Sequence, residues 1–312
     1  MSMSASATNK ISKTEENPLF PYLREFASET QIPAENLIRV FQIESEFHRA
    51  ILATDNPAKR KAMYAELYST VHPLLRPTSQ INDESIDAIP SRAAQGTVLL
   101  FRRELSGKSV LDVGCGDGKF LFAIHSLLPH GALLGLDTDA LWQNHRTPLP
   151  PDLQFLRQDI VSFRLDRTFD VVFSNQVLEH LAPSDLSNHL RSIHDALAPG
   201  GRFIVLLPNR LWGPGDITRI VDNTYTGRIA ASGSHLNEST YSELIPILLN
   251  SGFRSVQTAL PFAHALPPFR SLRVTPWLNQ LLERNEVLLT LVRSLRRHGR
   301  PIFRNMIILV CS

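Results

Sequence analysis

The 312-residue chain has few cysteines, no long apolar run and little charge bias. Its two cysteines, Cys115 and Cys311, lie far apart in unlike contexts. That excludes a disulfide framework and fits a reduced, cytoplasmic protein. No stretch reaches the ~18 apolar residues that a membrane span needs. The opening MSMSASATNKISKTEEN has no apolar centre, so it does not read as a secretory signal. With 32 Lys and Arg against 30 Asp and Glu, the formal charge is only +2. Nothing in that balance implies a general attraction to nucleic acid. No internal repeat is evident, which sets aside solenoids and propellers.

What is present is organised around Ser109 to Leu121, SVLDVGCGDGKFL. Val110, Leu111 and Val113 read as a short buried parallel strand. Gly114, Gly116 and Gly118 form a turn, and the KFLFAIHSLL that follows has apolar residues at helical spacing. Strand, glycine turn and helix in that order let a ligand approach the backbone and meet the free N–H groups of a helix start. A dinucleotide turn would read GxGxxG, but Lys119 occupies the third small position. Asp112, just before the first glycine, would repel a pyrophosphate and suits an ammonium group.

Alternating strand and helix signals continue from there. Apolar strands are expected at 131–136, 153–156, 169–173, 203–207, 253–260 and 306–311, with helices at 184–197 and 239–250 between them. This pattern predicts an α/β fold with a mostly parallel, Rossmann-like, seven-stranded sheet and helices on both faces. Before it, residues 17–105 read as a helical extension, either a solvated cap or a lid, after a disordered tail at 1–16. Pro33 opens one helix, and Asn56-Pro57 caps another. The main domain would span 106–312, with insertions at about 208–236 and 261–304.

The DVGCGDG run resembles motif I of the class I S-adenosylmethionine (SAM) dependent methyltransferases. NQVLEHL followed by LAPGG is similar to the small-molecule branch that includes ubiquinone-biosynthesis and natural-product enzymes. PNRLWGPGDITR and HLNESTYSEL resemble methyltransferases of bacterial glycan pathways more loosely. The resemblance implies SAM as cofactor. It places Asp112, Gly114, Gly116, Gly118 and Asn175 near the methionine and ribose portions, Asp137 on the ribose hydroxyls, and Asp159 and Ile160 at the adenine. Phe173 is a candidate to face the sulfonium. His180 and His235 are candidate general bases, Asn209, Arg210 and Asp216 are further pocket candidates, and no metal is expected. Asn175 is not followed by the Pro-Pro-aromatic run of DNA adenine methyltransferases, which disfavours a nucleic-acid acceptor.

The expected activity is methylation of an oxygen on a small molecule or glycan. Two other readings stand beside it. A basic amphipathic helix carrying Arg293, Arg296, Arg297 and Arg300, with Leu288, Leu291, Val292 and Leu295 on its apolar face, would fit a lipid or quinone methyltransferase docked on a membrane. A non-catalytic SAM-binding module is the other. A Rossmann oxidoreductase is more distant because of Lys119.

Overall fold

A computed structural model describes residues 18–75, 90–145, 148–262, 269, 271–297 and 300–312. The expected tail over 1–16 and the expected loop over 77–90, apart from Pro90, lie outside the described residues.

Five parallel strands form the body of the sheet: β1 (Val110–Val113), β2 (Leu133–Asp137), β3 (Leu153–Arg157), β4 (Phe169–Asn175) and β5 (Leu197–Pro208). Their spatial order is β3-β2-β1-β4-β5. Beyond β5 the sheet continues through β10 (Met306–Cys311), β6 (Val256–Ala259) and β7 (Arg273–Val274). β10 is antiparallel to both β5 and β6. Among the described residues the sheet therefore has eight strands rather than the expected seven. The extra one, β7, is a two-residue pairing within the 261–304 segment, too short to leave a period-2 signal. Arg273 anchors it by donating to the Leu100 carbonyl at 2.7 Å and to Glu104 at 3.0 Å.

Each central strand feeds two cores because successive side chains point to opposite faces. Phe203, Val205 and Leu207 of β5 lie in one core with Ile307 and Leu309 of β10. Ile204 and Leu206 lie in the other with Ile308 and Val310. The first core is closed by α7 (Leu186–Ala196) and α8 (Tyr241–Asn250). The second is closed by α4 (Arg92–Leu100), α5 (Arg102–Leu105) and α6 (Lys119–Leu127). With both faces covered, the strands have no reason to alternate apolar with polar.

The helices before residue 75 build a third core. They are α1 (Leu23–Thr30), α2 (Ala34–Leu52) and α3 (Pro57–Val71). Asn56 caps α3 by accepting from the Ala58 and Lys59 N–H groups, as the Asn-Pro pair predicts. Leu37, Val40, Ile51, Leu67 and Val71 pack on Ile217, Ile220 and Leu236, which lie in the long connection after β5. This extension is thus embedded in the domain. α4 and α5, although inside the expected extension, pack on the sheet.

The 261–304 segment departs most from expectation. It contains α9 (Trp277–Glu283), α10 (Glu286–Ser294) and a hairpin of β8 (Arg296–Arg297) with β9 (Arg300–Pro301). The basic amphipathic helix expected through Arg300 stops at Ser294, so Arg296, Arg297 and Arg300 do not share a helix face with Arg293. The buried face of α10 is Leu289 and Val292, while Leu288 and Leu291 are exposed. Burial also holds the Arg293 guanidinium below its usual range. The arrangement that motivated a membrane-docking helix is absent here. Among the described residues, no helix is long and apolar enough to cross a membrane.

Candidate functional site

The strand ends of β1 to β4 converge on the glycine turn. Gly114, Gly116 and Gly118 all have left-handed backbones, at φ 77°, 53° and 79°. Their surroundings differ. A methyl group added at Gly114 would overlap Val177, and one added at Gly118 would come within 2.7 Å of the Phe155 ring. At Gly116 it would meet only open space. The turn is tied to β2, because Gly114 donates to the Leu136 carbonyl at 2.7 Å and Gly116 to Asp137 Oδ2 at 2.8 Å. Asp139 N–H donates to the other carboxylate oxygen, Oδ1, at 3.0 Å.

Two cavities open near the ends of these strands. One, of about 260 Å³, is lined by Asp112, Gly114, Cys115, Asp117, Lys119, Phe120, Phe173 and Asn175. Burial, with Asp137 and Asp117 nearby, raises the Asp112 carboxyl well above the usual range. Phe173 is almost fully buried, with Phe120 stacked on it at 3.8 Å between ring centres and Phe101 edge-on at 6.0 Å. Phe120, which the sequence did not single out, thus lines the same cavity as Phe173.

The other cavity, of about 360 Å³, is mostly apolar and lies between β3 and α3. Asp159 and Ile160 line it, as do Tyr64, Tyr68 and Lys61 from α3. Asp159 accepts from the Val161 N–H at 2.9 Å and pairs with Lys61 at 3.1 Å. Nothing in the sequence assigned the α3 residues to the site. Their only signal was a helix start, and helical periodicity says nothing about which cavity a helix will border.

A buried ion pair holds α3 against the turn that leads into α7. Arg60 donates two hydrogen bonds to Asp185, one of them at 2.9 Å. Tyr64 hydroxyl donates to the same carboxylate at 3.0 Å and accepts from the Ala182 N–H at 2.9 Å.

His180 and His235, distant in sequence, meet edge to face with ring centres 4.6 Å apart. His180 Nδ1 lies 3.2 Å from the Ser234 carbonyl, and His235 Nδ1 lies 2.6 Å from Glu238 Oε1. Burial and the neighbouring His235 push the His180 imidazole down to about 3. Burial alone would also lower His235, but Glu238, Asp216 and Glu179 outweigh it and raise it to about 9. The surroundings thus push the two rings in opposite directions.

The loop carrying His235 is clamped by carboxylates. Asp216 accepts from the Gly233 and His235 N–H groups at 2.9 and 3.1 Å. Glu44 of α2 accepts from the Ser234 N–H at 2.7 Å. The Glu179 carbonyl accepts from Leu236 and Asn237 at 2.7 and 2.9 Å. Asp216 therefore shapes the loop. Asn209 caps a short turn at Leu211 and reaches Glu283, while Arg210 pairs with Glu243.

A family model described as "Methyltransferase domain" matches residues 87–258, more than half of the chain. The trans-aconitate 2-methyltransferase of Methylobacterium nodulans is 28% identical over 167 residues, 52% of this chain and 64% of that one. Its namesake from Methylobacterium radiotolerans is 33% identical over 105 residues, 33% of this chain and 39% of that one. The match thus spans less than two thirds of either relative. The trans-aconitate 2-methyltransferase of Escherichia coli (strain SE11) is 27% identical over 235 residues, 70% of this chain and 89% of that one. Among solved structures, an S-adenosylmethionine dependent methyltransferase from Mesorhizobium loti aligns with a TM-score of 0.45 at 19% identity, covering 71% of this chain and 99% of that one.

Proposed function

This chain belongs to the methyltransferase-domain family, with the domain of a SAM-dependent methyltransferase, and we propose that it transfers a methyl group to an oxygen atom of a small-molecule or glycan acceptor. The observation that carries the reading is a polar cavity with the buried Asp112 at the glycine turn and an apolar cavity beside β3. A cofactor with an amino-acid end and a purine end matches that division.

The residues present fit such a cofactor. Gly116 is the one glycine of the turn whose missing Cβ leaves open space rather than a packed neighbour. Asp112, held above its usual range by burial, gains a partner when an ammonium group enters. Asn175 shares its cavity. Asp137, fixed at the end of β2, would accept from the ribose hydroxyls. Asp159 would accept from the adenine amine, with Ile160 and the α3 tyrosines covering the base.

The bound cofactor supplies a methyl group made electrophilic by its sulfonium. The protein's part is to align, desolvate and exclude water. Alignment of two reactants is worth ~7–11 kcal/mol. The α3 helix, pinned by Arg60 and Asp185, forms a wall that keeps the cleft dry.

Oxygen as the acceptor atom rests on the relatives. All three are named for trans-aconitate, an acid that contains no nitrogen. The test is incubation of the full chain with methyl-labelled SAM and a panel of polycarboxylates, sugars and amines. Label in a base-labile ester or in an ether supports the proposal, and label in a methylamine overturns the choice of oxygen. Cofactor binding without transfer to any member of the panel returns the reading to a binding module. In parallel, Asp137→Ala should weaken SAM binding about tenfold or more by calorimetry, as expected for loss of a charged hydrogen-bond acceptor. Unchanged affinity would remove the ribose assignment.

A further inference from the structure

Behind the apolar cavity lies a group of side chains that the cofactor does not use. Glu179 is completely buried, and neither of its carboxylate oxygens has a hydrogen-bond partner among the described residues. A buried carboxylate left without a partner is costly in free energy. Beside it stand His180 and His235, and one ligand atom from each of the three lies within 4.8 Å of the others. We propose that Glu179, His180 and His235 form a binding site for a divalent transition-metal ion.

Three features support the assignment. First, the donor set of two imidazoles and one carboxylate suits zinc, iron, cobalt or nickel better than magnesium or calcium, which prefer oxygen alone. Second, both rings are oriented by a hydrogen bond at Nδ1, His235 by the Glu238 carboxylate and His180 by the Ser234 carbonyl. That is the outer-shell arrangement of metal-bound histidines, and it leaves Nε2 of each ring for the ion. Third, the backbone on both sides is fixed. Asp216 and Glu44 clamp the Gly233 to His235 loop, and the Glu179 carbonyl ties that loop to Glu179 itself. With metal–ligand bonds of about 2.0–2.2 Å, tetrahedral donors sit about 3.3–3.5 Å apart. The three groups need to close by at most about 1.5 Å, within reach of side-chain rotation.

Three protein ligands leave a fourth position open. His180 borders the apolar cavity that the purine would fill, so that position is placed to take an oxygen donor, such as water or a hydroxyl of the bound ligand. Only this last step rests on the methyltransferase reading. Metal binding itself is independent of it.

The test is titration of the full chain with Co²⁺, followed by visible absorption and by equilibrium dialysis with Zn²⁺, with no cofactor or acceptor added. The expected result is one ion per chain with the intense visible bands of a low-coordinate site. Glu179→Gln and His235→Ala should each weaken binding at least a hundredfold, and Glu238→Gln roughly ten- to a hundredfold. Glu179→Gln preserves volume and removes an unpartnered buried charge, so its unfolding midpoint in chelator should equal or exceed that of the parent. If that variant does not fold, His180→Gln is read in its place. A second trio, His125, His130 and the half-exposed Asp152, serves as the control. No saturable binding, or binding lost with His130→Ala and kept in the Glu179 and His235 variants, overturns the proposal. Because the readout is the ion, a failure to find a methyl acceptor has no bearing on it.

Discussion

Gly114, Gly116 and Gly118 share a left-handed backbone but answer to different neighbours, and substitution separates them. Gly114→Ala adds a methyl group against Val177 on top of an unfavourable φ. The combined strain and overpacking should cost about 2–4 kcal/mol. Gly116→Ala carries only the backbone strain, of about 1 kcal/mol, because its Cβ would point into open space. Thermal unfolding and SAM titration of the two variants check this. Gly114→Ala should lose several degrees of unfolding midpoint, and Gly116→Ala should stay within about 2 °C of the parent yet lose at least tenfold in cofactor affinity. Equal stability losses would mean that the space beside Gly116 is not where the ligand lies.

At the scale of elements, α3 matters because of how it is attached. Its apolar face joins the third core, but its placement over the cleft depends on Arg60 meeting Asp185 with both side chains almost fully buried. Removing one member of such a pair leaves an uncompensated charge. Arg60→Ala should therefore destabilise the protein by about 3–5 kcal/mol in urea unfolding, and the double variant Arg60→Met with Asp185→Leu should recover most of that loss. The apolar pair should still show altered cofactor binding, since Tyr64 would lose its Asp185 partner beside the cavity. A double variant as unstable as the single one would show that packing, and not charge, holds the helix. β1 and β4 are joined by a similar polar device. Asp170 accepts from the Ser109 N–H and hydroxyl at 2.9 and 2.8 Å, while its own N–H donates to the Ser109 hydroxyl at 2.9 Å.

For the whole molecule, that latch makes stability depend on pH. The Ser109 hydrogen bonds, with Lys108 close by, hold the Asp170 carboxyl below its usual range. The folded state thus favours the ionised form. Its contribution is complete above the ordinary carboxylate range near 4 and is lost as pH falls through the lower folded value. The gap in unfolding midpoint between the parent and Asp170→Asn should be open at pH 7 and narrow toward pH 3. A gap independent of pH would assign the effect to shape alone. The α/β order, the glycine turn and most strands were legible because each is local: an apolar run, a turn residue, a period. Asp137 was legible through its spacing from the glycine turn and Asp159 through the resemblance; Asp137 ends β2 against Gly116, and Asp159 follows β3 beside the apolar cavity. The β7 edge was hidden because two residues carry no period. The buried face of α10 was misassigned because its leucines and valine allow more than one apolar stripe. The roles of Lys61, Tyr64 and Glu44 could not be read at all, since long-range docking places them.

The position of β10 has a consequence for biosynthesis. It is the last of the eight strands to be made, yet it fills the interior of the sheet between β5 and β6. About a hundred residues separate it from β5, its main partner, so this closure carries a large loop-entropy cost and comes late. Until it arrives, β5 and β6 each present an open edge, and Phe203, Val205 and Leu207 lack their cover from Ile307 and Leu309. A ribosome-bound chain that has already made β1 to β5 is therefore still vulnerable to edge pairing with its neighbours. The helices α1 to α3 emerge first and must also wait, because Ile217, Ile220 and Leu236, which complete their core, follow about 150 residues later. The interval between translation of the glycine turn and release of Met306 to Cys311 is thus the period in which this protein most needs protection by chaperones.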